Sequence, residues 1–347
     1  MKSLRVIYVG DLRSEVWGTC LQRMRALQDL GHAVIGINAV QSGAIGLLQR
    51  LQIKVVGFRP DHYLGWLIGR AVRRIRPDVL WLDKALTVSA QTLCRVREIQ
   101  PSIVILGYSP DDMMNPSNQS KCWLNSLPLH DAYLTTKSYG VDELKSLGCK
   151  TVLFVANAYD PSLHRPFEVT PSERQFLGGP VGFVGAPEKE RAENIAWLSG
   201  QGICVKVWGD GWKALKRKSG ANYLVGGGSV WGTAYVKVLS SFDINLCFLR
   251  KVNRDRQTTR SIEIPACKGF MLAERTDEHL GLFEEGKEAE FFSSNEELLD
   301  KVKFYLAHDS ERRQIALAGH NRCVEGGYSN QVRLKKALSK IDALRER

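Results

Sequence analysis

The chain has 347 residues, 44% apolar and 24% charged, with a formal net charge of +11. That length suits two domains better than one core, and the composition is that of a globular protein rather than a disordered or fibrous one. No run of about 18 apolar residues occurs, which excludes a membrane-spanning helix, and the positive charge favours an anionic partner without choosing among nucleotide, nucleic acid and acidic membrane.

The start, MKSLRVIYVGD, runs directly into a strand pattern and is expected to carry no secretory segment. Eight cysteines stand singly and seven histidines show no ligand spacing. Reduced thiols in a cytoplasmic chain without a metal site are the plain expectation.

Residues 4–10 read as a buried parallel strand. Trp17, Leu21, Met24, Leu27 and Leu30 then recur at helical spacing, and Gly31 closes that helix. Strand patterns follow at 33–37, 79–83, 103–108, 132–136 and 151–155, with helical patterns at 87–98 and 138–148 between them. Strand and helix in strict alternation predict a doubly wound parallel sheet. The segment ANAYDPSLHRP (156–166) has neither period and reads as a linker.

A second series has strands at 181–185, 204–209, 242–249, 270–273 and 289–292, then helices near 295–307, 309–324 and 329–345. The expectation is two doubly wound Rossmann-like α/β domains facing a cleft. Residues 1–158 would form an N-terminal acceptor-side domain, 159–330 a C-terminal donor domain and 331–347 a C-terminal helix. Ligands in such sheets bind beyond the carboxyl ends of the strands.

Three loops of the second series sit at such ends. In GAPEKER (185–191) a glycine precedes a helix start, where amides and the positive helix end suit a phosphate. Gly185, Lys189 and Arg191 are the candidates there, against the plainer reading of a turn and a solvated first helical turn. GDGW (209–212) demands positive φ, so Gly209 either lets a backbone approach a ligand or merely turns the chain. FLRKVNRDRQTTRSIE (248–263) clusters Arg250, Lys251, Arg254, Arg256 and Arg260, five cations that repel one another unless an anion neutralises them. A diphosphate matches guanidinium forks, and Glu263 beyond them is suited to accept from ribose hydroxyls. The plainer alternative is a solvated loop with Glu263 facing the helix dipole.

On these residues the chain resembles the C-terminal donor domain of GT-B glycosyltransferases with a Glu-x7-Glu motif. EIPACKGFML (263–272) is similar to their second-glutamate helix. TRSIEIPACKGFMLAE, LFEEGKEAEFF and YLAHDSERRQIALAGH resemble, more narrowly, the spore-maturation glycosyltransferase-like family, whose donor domain is of the group 1 type. NAYDPSLHRP is similar to the interdomain Asn-Gly-Val-Asp…Phe-x-Pro signature. The likeness covers most of 105–330. It implies a nucleotide-diphosphate sugar on the second domain, with Glu263 on the ribose and Arg191 and Arg260 on the diphosphate. The first glutamate falls on Asp255, one methylene shorter. Lys268 interrupts the usual Ala-x-Gly ending, and Pro265 predicts a helix that begins late or bends.

In the first domain Asp111 and Asp112 in YSPDDMMNPSN (108–118) are adjacent carboxylates, one of which would serve as a base toward an acceptor hydroxyl; the alternative is a Pro-Asp-Asp turn. Asp11, after Gly10 at the first strand end, is a further candidate where this fold class often meets the transferred sugar. The chain lacks an Asp-x-Asp pair, so arginines and helix ends rather than a metal are expected to offset the diphosphate, with no cofactor besides the sugar nucleotide. WLIGRAVRRIR (66–76) either packs on the sheet with solvated arginines or rests on an anionic membrane beside a lipid-linked acceptor. The expected activity is hexosyl-type transfer to a glycan or glycoconjugate in polysaccharide biosynthesis. A sugar-nucleotide epimerase of the same fold is the enzymatic rival. A basic nucleic-acid-binding protein is the other, disfavoured because no aromatic residues interleave the arginine loop.

Overall fold

The computed structural model describes residues 2–13, 18–40 and 61–345. They divide into two compact units, one of residues 1–156 with 330–347 and the other of 157–329. Trp17 lies outside the described residues.

The first unit runs β1 (Arg5–Gly10), α1 (Thr19–Asp29), β2 (Ala33–Asn38), α2 (His62–Ile75), β3 (Val79–Asp83), α3 (Ala90–Ile99), β4 (Val104–Ser109), α4 (Lys121–Ser126), β5 (Ala132–Thr135), α5 (Gly140–Ser146) and β6 (Val152–Phe154). All pairings are parallel, in the order β2-β1-β3-β4-β5-β6. β3 and β4 are buried at every position, which is why they read as unbroken apolar runs. Successive side chains serve opposite faces. Ile7, Val9, Leu80, Leu82 and Ile105 meet Leu64, Ile68 and Val72 of α2 and Leu93 and Val96 of α3. Tyr8, Trp81, Leu106 and Leu134 meet Ala26 and Leu27 of α1. The Asp61 carboxylate accepts from Leu64 N at 2.9 Å to start α2, whose outer face presents Tyr63 stacked on Trp66 and Arg70 over the Trp66 ring.

The second unit runs α6 (Pro171–Leu177), β7 (Gly179–Val184), α7 (Lys189–Gly200), β8 (Val205–Trp208), α8 (Trp212–Ser219), β9 (Leu224–Gly227), α9 (Gly232–Ser240), β10 (Phe242–Cys247), α10 (Arg260–Ala266), β11 (Met271–Glu274), α11 (Asp277–Leu282), β12 (Glu290–Phe292), α12 (Asn295–Ala307) and α13 (Asp309–Glu325). Its six strands are parallel in the order β12-β11-β10-β7-β8-β9. From β7 the chain winds outward through β8 and β9, and from β10 through β11 and β12. The carboxyl ends of β7 and β10 therefore flank the point where the winding reverses, the place where open α/β sheets generally take their ligands.

The chain then returns to the first unit as α14 (Asn330–Arg345), which the sequence set apart as a separate terminal helix. Leu334, Ala337, Leu338 and Ile341 join the cluster around Tyr8, Leu27 and Trp81. Among the described residues, no helix is long and apolar enough to cross a membrane.

Candidate functional site

The carboxyl end of β7 is built around glycine. Gly185 has φ 154°, and its N–H bonds Trp208 O at 2.8 Å while its O accepts Trp212 Nε1 at 2.7 Å. Gly209, with φ 145°, comes so close that a Cβ on it would stand 2.3 Å from Gly185 O. The two strand ends touch backbone to backbone, an approach that a side chain on Gly209 would block.

Two guanidinium groups converge beside these strand ends. Arg191, in the first turn of α7, is 4% exposed and lies 5.4 Å from the Phe183 ring centroid. Arg260, the first residue of α10, lies 5.8 Å from the same ring, and its Nη1 is 3.4 Å from where a Gly185 Cβ would be. Nη1 of Arg191 is spent on Ala186 O at 3.1 Å. Nε and Nη2 of Arg191 and Nε of Arg260 are buried without an acceptor. The carboxylate nearest Arg191, Glu188, is 3.8 Å away and takes Arg250 Nε at 2.7 Å. Burial first, and the Arg260 charge second, pull the Arg191 guanidinium below its ordinary pKa. Buried donors without acceptors beside a second cation make a site that an anion completes.

Glu263 lies one helical turn beyond Arg260 on the same face of α10. It is buried, accepts from Tyr235 Oη at 2.7 Å and faces His164 Nε2 at 3.7 Å. His164 Nδ1 accepts from Asp160 N at 3.0 Å, so the imidazole proton sits on Nε2 and points its dipole at the carboxylate. His164 and Tyr235, in edge-to-face contact, were not singled out from sequence. Nothing in their spacing announces that they flank Glu263.

The basic loop is less bare than its composition implied. Arg250 pairs with Glu188 and Lys251 with Glu274, so carboxylates remote in sequence neutralise two of the five cations, and repulsion within the loop demands no external anion for those two. Arg256 and Lys189 are exposed, whereas Asp255 is buried, its N–H on Arg250 O at 3.1 Å. Pro265 does not delay α10, which already begins at Arg260. It sits one residue from the helix end, and Gly269 N closes on Ile264 O at 3.0 Å around Lys268 with φ 60°.

In the first unit Asp111 carries the Lys84 ammonium, and Asp112 is buried with Oδ1 accepting from Met114 N at 3.0 Å in a turn. Asp11 forks onto Arg13 at 2.8 and 2.6 Å. Beside them, unsignalled by any motif, Asp83 ends β3 as a buried carboxylate held by Arg23 at 2.7 and 3.0 Å and by the Tyr8 hydroxyl, with Arg23 over the Tyr108 ring. Burial, then Asp83, raises the neighbouring Cys20 thiol to about 12. Among the described residues, no group of three or more His, Cys, Asp or Glu is placed to hold a metal ion.

Residues 191–339 match the glycosyl transferase-like family. They begin at Arg191 and include Arg260 and Glu263. The whole chain has the two-domain GT-B fold of glycosyltransferases: it is similar to Anabaena Alr3699/HepE in complex with UDP-glucose (TM-score 0.68, 12% identity, covering 98% of this chain and 100% of that one). It is likewise similar to the sucrose-phosphate synthase of Thermosynechococcus elongatus (0.66, 10%, 99% and 100%). A protein described as a UDP-N-acetylglucosamine 2-epimerase from Listeria monocytogenes shares the fold (0.58, 11%, 99% and 97%). No curated protein matches the sequence. Residues 191–339 thus carry a glycosyl transferase-like domain, set in a chain with the GT-B fold.

Proposed function

We propose that the protein transfers a glycosyl group from a nucleotide-diphosphate sugar bound at the carboxyl end of β7 to a glycan or glycoconjugate acceptor, without a divalent cation. The observation that carries this reading is the pair Arg191 and Arg260 beside Gly185: Nε and Nη2 of Arg191 and Nε of Arg260 are buried without acceptors. A diphosphate oxygen supplies those acceptors, and the two cations stabilise the charge that grows on the leaving nucleotide. Glu263, oriented by Tyr235 and His164, takes the ribose hydroxyls. The neighbour crystallised with UDP-glucose supports the donor class, and the resemblance to spore-maturation glycosyltransferases supports a polysaccharide or glycoconjugate acceptor. The acceptor's proton would go to Asp11, Asp111 or Asp112, and single Asn substitutions compared at saturating donor would select among them; three unchanged rates dismiss all three.

Calorimetric titration of uridine, guanosine, adenosine and thymidine diphosphates in EDTA tests the donor site. At least one is expected to bind, and Arg260→Ala to weaken it by roughly tenfold or more. No heat from any of them overturns the proposal. Because an epimerase-like protein shares the fold, product analysis without acceptor is the companion measurement: a new sugar nucleotide would replace transfer by epimerisation. Peripheral attachment to an anionic membrane through α2, where Tyr63 and Trp66 stand exposed beside Arg70, belongs to the same proposal. Equal sedimentation with neutral and anionic vesicles dismisses it.

A further inference from the structure

A second basic cavity lies at the opposite end of β10. Phe242 and Asp243 open that strand, and six residues at about 3.3 Å each separate this edge from the loop leading to Arg260. The cavity measures about 270 Å³, near the lower end of small-molecule sites. Arg174, Lys268, Arg312 and Arg313 line it against one carboxylate, Asp243. Phe167, Phe242 and Phe270 form an apolar wall, and Ser240, whose buried hydroxyl has no hydrogen-bond partner, adjoins them.

The charges there are under-compensated. Asp243 serves both Arg174 and Arg312, the latter at 3.2 Å, and Asp309 serves both Arg312 and Arg313, the latter at 2.8 Å. Two carboxylates are thus shared by three guanidinium groups, and among the described residues Lys268 pairs with neither. The turn that closes α10 sets the fourth cation on the rim. Lys268 has φ 60°, a left-handed conformation that glycine adopts freely and a lysine does not. A strained residue that brings a cation to a cavity rim already short of negative charge is what an anion site looks like before it is filled. A depression of about 480 Å³ adjoins the cavity and shares Lys268 and Arg313 with it, so the rim is open to a ligand.

We propose that this cavity is a second ligand site, separate from the donor site, that takes a small organic phosphate. The phosphoryl group would lie between Lys268 and Arg313 and the organic part against the phenylalanines. Calorimetry in chloride buffer, with glucose 6-phosphate and inorganic phosphate as probes, tests it on the wild-type chain, Lys268→Gly, Arg313→Gln and Arg191→Ala. Expected are binding of the hexose phosphate by the wild type and Arg191→Ala, and roughly tenfold weaker binding by Lys268→Gly and Arg313→Gln. The Tm of Lys268→Gly should be at or above that of the wild type, because the substitution removes the backbone strain. Wild-type affinity in both rim variants, loss in Arg191→Ala alone, or no wild-type binding at millimolar ligand overturns the proposal. Inorganic phosphate binding as tightly as the hexose phosphate removes the apolar wall from it.

Discussion

At the scale of single residues, Arg191 shows a conflict between stability and ligand. A buried guanidinium with two donors lacking acceptors is a liability in the empty protein and an asset once an anion arrives. Arg191→Met is therefore expected to raise the Tm of the empty protein, by the equivalent of about 1 kcal/mol, while weakening nucleotide diphosphate roughly tenfold or more. A melt and a titration on one preparation check both, and a fall in both quantities would make the arginine a plain structural residue. A histidine supplies the pH prediction. Burial pushes His130, in the first unit, from 6.5 down to about 4, and its Nδ1 faces the carbonyls of Ser126 and Leu127. The unfolded chain binds that proton at a higher pH than the folded chain does, so stability is lost as pH falls from 6.5 towards 4, by about 3 kcal/mol for this group. Denaturant melts across that window should show the loss, and a His130→Asn variant that still folds should show less of it. Arginine, glutamate and glycine were legible as a site because their chemistry is written in their identity. Which arginine would be buried without acceptors, and that Glu188 and Glu274 would cancel two of its neighbours, depends on residues 60 positions or more away in the first case and folded onto the loop in the second.

At the scale of elements, strand ends matter more than strand interiors. Gly209→Ala would place a methyl carbon 2.3 Å from Gly185 O, a backbone atom that cannot swing aside. The strain is expected to cost about 1–3 kcal/mol and to push the β8 end away from the β7 end, weakening diphosphate binding along with stability. By contrast, Gly200→Ala on α7, where a Cβ meets nothing within 4 Å, should leave both unchanged or improve stability. Thermal melts and calorimetry on the pair distinguish loss of a special contact from a general intolerance of side chains. Elements buried on both sides were visible from sequence, since a run such as VLWLD (79–83) has no other use for five apolar-dominated positions in a row. β9 was not, because LVGG (224–227) is short, lies at a sheet edge and keeps only partial burial, with two glycines whose backbone Trp208 covers. α10 shows the reverse: its proline looked like an interruption, yet in a helix of seven residues it removes only its own donor to the Ser261 carbonyl, and the helix ends one residue later.

At the scale of the whole molecule, the first unit is discontinuous and the second is contiguous. Periodicity showed which positions of α14 are apolar, but not that they cover α1 and the aromatic face of the first sheet, three hundred residues distant in sequence. Removing 330–347 exposes Leu27, Tyr8 and Trp81 and takes away Leu334, Leu338 and Ile341. At about 1.5–3 kcal/mol for each large apolar side chain, that loss is expected to unfold the first unit while 157–329 retains its cooperative melt. Calorimetry showing two equal losses, or none, would mean that the units do not stand alone in stability. Tyr159 and Ser329 pair side by side where the chain passes into and out of the second unit, so the two ends of that segment meet.

That arrangement sets an order of events on the ribosome. The strands of the first sheet cannot be sealed until α14 has emerged, after all of 157–329 has been made and has had time to fold. Through that interval the unfinished half presents Leu27, Val79 and Leu106 to solvent, and it is this half, rather than the one bearing the arginines, that chaperones should hold.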